Sequence, residues 1–237
     1  MVFAGIQKLT LLDYPDRTAC TVFTAGCNFN CPFCQNASLI KSATREQSST
    51  HKKQKESAAE ILRFLETRQG LLDGVCISGG EPLLHSDPDM FISDVKALGY
   101  LVKLDTNGSY PEKMENLIKA GLIDYVAMDI KNTPEKYAQT IGASEYDISQ
   151  IEDSIAILRK GAIPYEFRTT VVREYHTGDD LLSIAHWISD TERYYLQKFV
   201  DSDGVAQNGL HGYSDTEMQQ FLSDVRKILP AANLRGM

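Results

Sequence analysis

The sequence has no long apolar run, no excess of positive charge and few cysteines. No hydrophobic stretch approaches the ~18 residues that cross a bilayer, so we expect no membrane-spanning helix. The net charge is -8, which argues against nucleic-acid binding because that function needs a basic surface. The first residues lack the charged, apolar and small-residue pattern of a secretory signal. We therefore expect a cytoplasmic protein.

Only five of the 237 residues are cysteine. Disulfides are rare in the reducing cytosol, so these thiols favour metal or redox chemistry. Cys20 and Cys76 lie inside predicted strands and are expected to be small core residues. The other three, Cys27, Cys31 and Cys34, lie within eight residues, and no fourth cysteine follows at a comparable spacing.

Short β-branched runs alternate with segments of helical period. The six predicted strands are residues 20–24, 74–78, 100–106, 125–130, 165–172 and 194–199. The predicted helices are residues 58–68, 89–99, 111–121, 148–161, 177–188 and, ending the chain, 214–229. Such alternation predicts right-handed βαβ units and a parallel sheet. Six strands are two fewer than a closed barrel has, so we predict an α/β fold, an open partial (β/α)6 barrel.

We expect this barrel to be a single domain that covers residues 1–237. The one long irregular segment, residues 37–57, is polar and includes the basic run 51–55. Its composition is typical of a solvated surface loop rather than of a linker between domains.

The three clustered cysteines follow the first predicted strand at its carboxyl end, where parallel α/β folds place their chemistry. Gly26 allows a tight exit from the strand, and Pro32 stiffens the loop. Structural zinc needs four protein ligands, and His51 could complete such a set only from a polar loop. Buried reduced thiols are a second possibility, although intervening asparagines are not typical of a core. The third is an iron–sulfur cluster held by three thiolates, with one iron open.

The spacing Cys27-x3-Cys31-x2-Cys34, with Phe33 before the last cysteine, resembles the signature of the radical S-adenosylmethionine (SAM) enzymes. This resemblance implies a [4Fe–4S] cluster on the three cysteines. It also implies that the methionine group of SAM chelates the open iron, and that an electron from the cluster cleaves SAM to a 5′-deoxyadenosyl radical. No catalytic residue beyond the cluster and SAM is then expected. We include Phe33 and Gln35 among the cofactor-binding residues.

A second match is Gly79-Gly80-Glu81-Pro82, at the end of the second predicted strand. Alone, this stretch would be interpreted as a turn. Paired glycines let the backbone approach a ligand closely, and Glu81 offers an acceptor for an ammonium group. The resemblance implies that Gly79, Gly80 and Glu81 bind the amino group of SAM.

A third match is the pair Asp105 and Asp129, which end neighbouring predicted strands in apolar sequence. An unpaired carboxylate is costly there, and the plain alternative is that both are helix N-caps. The stretches 103–108 and 127–132 resemble those of glycyl-radical-enzyme activases. That resemblance implies that Asp129 and Lys131 line the SAM site.

The same resemblance implies a monovalent cation near Asp105 and Asp129, with Thr106 and Met128 as further ligands. Arg168, on the fifth predicted strand, would by itself be interpreted as a surface residue. By resemblance it forms a salt bridge to the carboxylate of SAM.

Residues 9–36 resemble the activating proteins of anaerobic ribonucleoside-triphosphate reductase, whose close relatives are the pyruvate formate-lyase activases. The resemblance implies a glycyl-radical enzyme as protein substrate and a low-potential electron donor such as flavodoxin or ferredoxin. Two departures are Gln35, where these activases usually have histidine, and Asp16, where glycine is common after proline.

Three alternatives stay open. The partner could be a pyruvate formate-lyase-like enzyme. A radical SAM enzyme acting on a small molecule or on tRNA has the same core, although the net charge argues against tRNA. A non-enzymatic zinc-binding module is the alternative from a different class, and it leaves the second and third matches unexplained.

Overall fold

The computed structural model describes residues 1–42, 57–202 and 204–236. One eight-stranded sheet forms its centre, with the strands in chain order. The first pair is antiparallel and all later pairs are parallel. The strands are β1 Phe3–Thr10, β2 Ala19–Thr24, β3 Gly74–Gly79, β4 Leu101–Thr106, β5 Tyr125–Asp129, β6 Tyr165–Val171, β7 Tyr194–Lys198 and β8 Asn233–Arg235.

Helices follow the parallel strands, as the alternation in the sequence predicts. They are α1 Ala37–Ser42, α2 Ala58–Glu66, α3 Pro88–Ala97, α4 Pro111–Lys119, α5 Tyr137–Thr140, α6 Ser149–Arg159, α7 Gly178–Trp187 and α8 Asp215–Val225. Three of them, α2, α7 and α8, begin with a capping box in which a Ser or Thr hydroxyl and an acidic side chain exchange hydrogen bonds with the backbone. Such caps satisfy amide groups that lack a partner at helix starts.

The predicted α/β fold with an open, mostly parallel barrel is confirmed, because no pairing joins β1 to β8 within the described residues. The strand number was wrong. All six predicted strands form, but β1 and β8 add one strand at each edge. β1 is an edge strand with three consecutive exposed residues, so it lacks the alternation that identifies a strand. β8 has three residues and is too short to give a pattern.

Two smaller predictions also differ from the structure. Helix α8 ends at Val225 and is followed by β8, so it does not end the described chain. Within the segment 37–57, the first six residues form α1 rather than loop. Residues 43–56, which include His51 and the basic run, lie outside the described residues.

The parallel strands are buried on both faces. In β3, the four residues from Gly74 to Ile77 are all buried, as expected for a strand covered by helices on one face and by the barrel interior on the other. The carboxyl ends of β2 to β7 meet at one rim, where chemistry is concentrated in such folds. No helix among the described residues is long and apolar enough to span a membrane.

Candidate functional site

The three clustered cysteines lie in the loop that leaves the carboxyl end of β2. Gly26 begins this loop with a φ of 87°, a left-handed conformation that glycine adopts without strain. A hydrogen bond from the Cys34 amide to the Cys31 carbonyl, 3.1 Å long, closes the turn between the last two thiols. Cys31 is buried, whereas Cys27 and Cys34 are half-buried. The structure thus puts all three thiols at the rim.

The three thiols line a shared cavity of about 330 Å³, which is near the lower end of the ~300–1,000 Å³ typical of small-molecule sites. Of the eight predicted cofactor-binding residues, seven also line it: Phe33, Gln35, Gly79, Gly80, Asp129, Lys131 and Arg168. Glu81 does not. Residues from the loop after β2, from the carboxyl ends of β3 and β5 and the residues that follow them, and from β6 therefore converge on one space, although they are far apart in the sequence.

Sequence reasoning missed several lining residues, namely Asp13, Phe29, Asn36, Ser78, Asn107, Thr170 and Gln197. Asp13 belongs to the β1–β2 connection, which lies at the opposite end of the barrel from the cysteine loop. The cavity therefore extends from the rim into the barrel interior. Asn107 could have been found, because it is a polar residue directly after the predicted strand that contains Asp105.

The connection that follows β7 also makes hydrogen bonds to the cysteine loop, which the sequence did not predict. The amide of Ala206 donates to the Cys34 carbonyl at 3.0 Å, and the amide of Gln207 donates to the Pro32 carbonyl at 3.0 Å. The Gln35 side chain donates to the Val200 carbonyl at 3.1 Å. The connection after β7 therefore fixes the loop between the second and third thiols.

Burial raises the pKa of Cys27 to about 11 and that of Cys31 to about 12. Burial also raises the pKa of Cys34. Thiols ligate metals as thiolates, so a strongly positive centre must offset the cost of ionising all three in this site.

The donor set at this cavity is incomplete for structural zinc, which takes four protein ligands. In the part of the chain that the structure describes, no group of three or more Cys, His, Asp or Glu side chains is arranged to hold one metal ion. Zn–S bonds of ~2.3 Å place tetrahedral thiolates roughly 4 Å apart. The described cavity lining holds the three thiols of Cys27, Cys31 and Cys34 and neither a histidine nor a fourth cysteine, a donor set that suits an iron–sulfur cluster with one iron open.

Gly79 and Gly80 are required by the packing of two loops. A Cβ added at Gly80 would lie 1.7 Å from the carbonyl oxygen of Gly26, and one at Gly79 would lie 2.3 Å from the amide nitrogen of Thr24. The paired glycines thus let the loop after β3 pack directly on the start of the cysteine loop. The predicted reason, close approach to a ligand, is therefore not their only role.

Glu81 directly follows the two glycines, and its side chain is fully buried. Its carboxylate accepts hydrogen bonds from the Thr106 hydroxyl at 2.8 Å, the Asn107 amide at 2.7 Å and the Leu83 amide at 3.0 Å. Burial raises the pKa of Glu81 to about 7, although these hydrogen bonds oppose the shift. In this geometry Glu81 joins the loop after β3 to the end of β4.

Ion pairs cross the barrel interior from β4 to β6. Arg168 donates from Nε to Asp129 at 2.9 Å and from Nη1 to Asp105 at 3.3 Å. Lys131 donates to the other oxygen of Asp129 at 2.9 Å, and the ammonium group of Lys103 contacts Asp105. Arg168 is only 12% exposed, so its interpretation as a surface residue was wrong.

These ion pairs stabilise the charged forms of Asp129 and Lys131. Burial alone would raise the pKa of Asp129, but Arg168 and Lys131 hold it well below its usual range. Burial would lower the pKa of Lys131, but Asp129 outweighs that cost and raises it. Each charge is thus stabilised by an opposite neighbour, as buried ions require.

The monovalent cation near Asp105 and Asp129 stays a prediction. The carboxylate of Asp105 already contacts Lys103 and Arg168, and it accepts a 3.3 Å hydrogen bond from Ser78. Of the other predicted ligands, Thr106 donates its hydroxyl to Glu81. An added cation would have to compete with the protein's own cations.

Residues 21–188 match the model of the radical SAM superfamily. A protein of Methanocaldococcus jannaschii, named provisionally as a glycyl-radical enzyme activating enzyme, is 34% identical over 84% of this chain and 80% of its own length. A 7-carboxy-7-deazaguanine synthase of Methanothermobacter thermautotrophicus is 33% identical over 65% of this chain and 58% of its own. A pyruvate formate-lyase-activating enzyme of Listeria monocytogenes is 31% identical over 49% of this chain and 48% of its own.

Among solved structures, Streptococcus suis SuiB bound to its precursor peptide SuiA superposes with a TM-score of 0.69 at 13% sequence identity. The match covers 91% of this chain and 48% of SuiB, so the chain spans about half the length of that protein. At this identity the likeness concerns the fold alone.

The open barrel and its three-cysteine rim define an iron–sulfur enzyme of the partial-barrel type. The chain belongs to the radical SAM superfamily, whose model matches most of it. The cofactors expected from the cysteine motif, a [4Fe–4S] cluster and SAM, are those that this superfamily uses.

Proposed function

We propose that this chain, acting as a single domain, generates a glycyl radical on a partner enzyme. We further propose that the partner is anaerobic ribonucleoside-triphosphate reductase. One observation carries the proposal: three thiols and a buried set of ion pairs line one cavity at the mouth of an open barrel. The similarity to the Methanocaldococcus relative supports the class of activity. The resemblance of residues 9–36 to reductase activators supports the partner.

Cys27, Cys31 and Cys34 would hold the [4Fe–4S] cluster, which, when bound, supplies the electron for cleavage of SAM. SAM is consumed as a substrate, and the wall around Asp129 has charges of both signs to orient it. Arg168 uses Nε and Nη1 for its aspartate contacts, and its Nη2 has no hydrogen-bond partner among the described residues. That nitrogen is a suitable donor to the carboxylate of SAM.

The main contribution of the protein to the reaction is to bring the glycine Cα of the partner close to the 5′ carbon. One glycine Cα–H bond of the partner would break, and the hydrogen atom would go to the 5′ carbon of the deoxyadenosyl radical left by SAM cleavage, giving 5′-deoxyadenosine and leaving the unpaired electron on glycine. The two carbons must lie within contact distance for this transfer. A barrel that is open between β1 and β8 leaves a side through which a partner loop can enter.

We also propose that the protein acts in the cytoplasm. Thiols that must stay reduced and a cluster that must receive an electron both fit a reducing cytoplasm. We propose a low-potential donor such as flavodoxin or ferredoxin.

A second candidate is a radical SAM enzyme that acts on a small molecule. The 33% identity to a 7-carboxy-7-deazaguanine synthase favours it, and so does the extension of the cavity inward to Asp13. Activation of a pyruvate formate-lyase-like enzyme is the nearest variant of the main proposal, supported by the Listeria relative.

The test is anaerobic electron paramagnetic resonance. Reduced protein and SAM are mixed with the anaerobic reductase, or with a pyruvate formate-lyase-like enzyme, from the same source. We expect a glycine-centred doublet with the reductase that disappears when its target glycine becomes alanine. A doublet only with the second enzyme would overturn the choice of partner. Release of 5′-deoxyadenosine without a radical on either enzyme would favour the small-molecule candidate.

A further inference from the structure

Asn107 directly follows β4 at the rim of the cavity and is only 6% exposed. Its side-chain nitrogen lies 3.8 Å from the Cys27 sulfur and 2.9 Å from Oδ1 of the Asn28 side chain. We infer that Asn107 is a positioning residue for Cys27, and that its N–H···S hydrogen bond raises the reduction potential of the cluster.

Cys27 differs from Cys31 and Cys34 in the hydrogen-bond donors that reach its sulfur. Its sulfur also accepts a hydrogen bond from the backbone amide of Phe29 at 3.4 Å. Within the described ranges, no side-chain donor reaches the sulfur of Cys31 or Cys34. An amide NH2 has two hydrogens, and here one is directed to Asn28 and the other to Cys27.

The amide of Asn107 is held in this orientation from the other side. Its oxygen accepts from the Ser109 amide at 3.0 Å and from the Ser109 hydroxyl at 2.6 Å. A flipped amide would put NH2 against the Ser109 backbone amide and its oxygen against Oδ1 of Asn28, so these two contacts define the assignment. The backbone amide of Asn107 is bound to Glu81 at 2.7 Å, which fixes where the side chain begins.

The physical consequence follows from charge. A donor aimed at a ligating sulfur stabilises negative charge there, and a reduced cluster carries one more electron than an oxidised one. Hydrogen bonds to the sulfurs are therefore among the features that set cluster potentials. This inference rests on the cluster that the proposed function uses, but it does not depend on which molecule is activated.

The test is a redox titration followed by electron paramagnetic resonance, on protein reconstituted anaerobically with iron and sulfide. Two variants remove the donor without adding a charge: Asn107→Ala, and Asn107→Leu, which keeps a similar side-chain size. The matched control is Ser109→Ala, which removes the hydroxyl contacts to Asn107 and Asn28 but keeps the backbone amide of residue 109 that holds the Asn107 oxygen. Iron and sulfide content is measured for each protein.

We expect all variants to retain the cluster. Both Asn107 variants should show a midpoint potential more negative than the parent, whereas that of Ser109→Ala should match the parent. An unchanged potential in Asn107→Ala, or an equal shift in Ser109→Ala, would overturn the inference. Failure of both Asn107 variants to assemble a cluster would also overturn it, because Asn107 would then serve assembly rather than potential. Since no partner enzyme is used, these outcomes are independent of the glycyl-radical proposal.

Discussion

At the scale of single residues, the site is a set of charges that hold one another in place. Asp129 is bound by Arg168 and Lys131 at 2.9 Å each, and its pKa is held low. The wall of the cavity is therefore rigid and charged before any ligand arrives. Such preorganisation is what a site needs in order to hold a reacting atom in register.

The first prediction concerns this wall. Asp129→Ala and Lys131→Ala should each lower SAM cleavage by ~10–100-fold, the equivalent of one charge-assisted hydrogen bond. The iron content should stay at the parental value, because the hydrogen bonds of these side chains among the described residues go to each other and to Arg168 rather than to a thiol. Release of 5′-deoxyadenosine under reducing conditions is the measurement. Lys160→Ala is the matched control, since that lysine is 65% exposed and its ammonium group pairs with Glu115. Unaltered cleavage in both test variants would show that the SAM site lies elsewhere.

From the sequence, the role of a single residue could be predicted only where that residue belongs to a recognised motif. The three cysteines, Gly79, Gly80, Asp129 and Lys131 line one cavity, and their roles in binding the cluster and SAM stay predictions. Glu81 lies outside the cavity because its carboxylate binds the end of β4. Lys103 was missed because a lysine within a strand has no partner until Asp105 is folded next to it.

At the scale of elements, the loop after β3 and the cysteine loop form one unit. The carbonyl oxygen of Gly26 accepts a 2.8 Å hydrogen bond from the Glu81 amide, and it occupies the space where a side chain at Gly80 would be. The shape of the cysteine loop therefore depends on a residue more than fifty positions away.

Gly80→Ala tests this dependence. The added methyl group would lie 1.7 Å from the Gly26 carbonyl oxygen, so the two loops must separate. We expect a protein with normal far-ultraviolet circular dichroism that loses most of its iron after anaerobic reconstitution. Gly5→Ala is the control, because a Cβ there meets nothing within 4 Å. Full iron content in Gly80→Ala would contradict the coupling of the two loops.

The last strand, β8, supplies the partner of a buried carboxylate. Glu166 is fully buried on β6, and Arg235 on β8 binds both of its oxygens, at 2.6 and 3.1 Å. Arg235 also lies over the ring of Tyr195, with 4.0 Å between the guanidinium carbon and the ring centre. This short strand thus stabilises the open edge of the barrel.

Arg235→Leu should lower the free energy of unfolding by about 3 kcal/mol, because it leaves a buried carboxylate without its cation. Urea unfolding under anaerobic conditions measures the change. Lys227→Leu is the control, since Lys227 is 73% exposed and pairs with Asp224 at the surface, and its effect should stay within about 0.5 kcal/mol. Equal effects of the two substitutions would contradict a role of the Glu166–Arg235 pair in stability.

At the scale of the whole molecule, the alternation of strands and helices was enough to predict the class of fold. Buried parallel strands are apolar runs with a clear signal, so all six were found. β1 and β8 were missed because an edge strand and a three-residue strand are defined by their neighbours rather than by their own pattern. The connection after β7 was missed for a similar reason, since its contacts with the cysteine loop form only in the folded barrel.

The central claim is that three cysteines at the mouth of an open barrel hold a [4Fe–4S] cluster with one iron free for SAM. Metal and sulfide analysis of the anaerobically purified protein and its Cys31→Ala variant tests it most directly. We predict about four irons and four sulfides per chain in the parent, and loss of both in the variant together with the ~400 nm absorbance. A single zinc ion without sulfide, or a Cys31→Ala protein that retains its full iron content, would contradict the account.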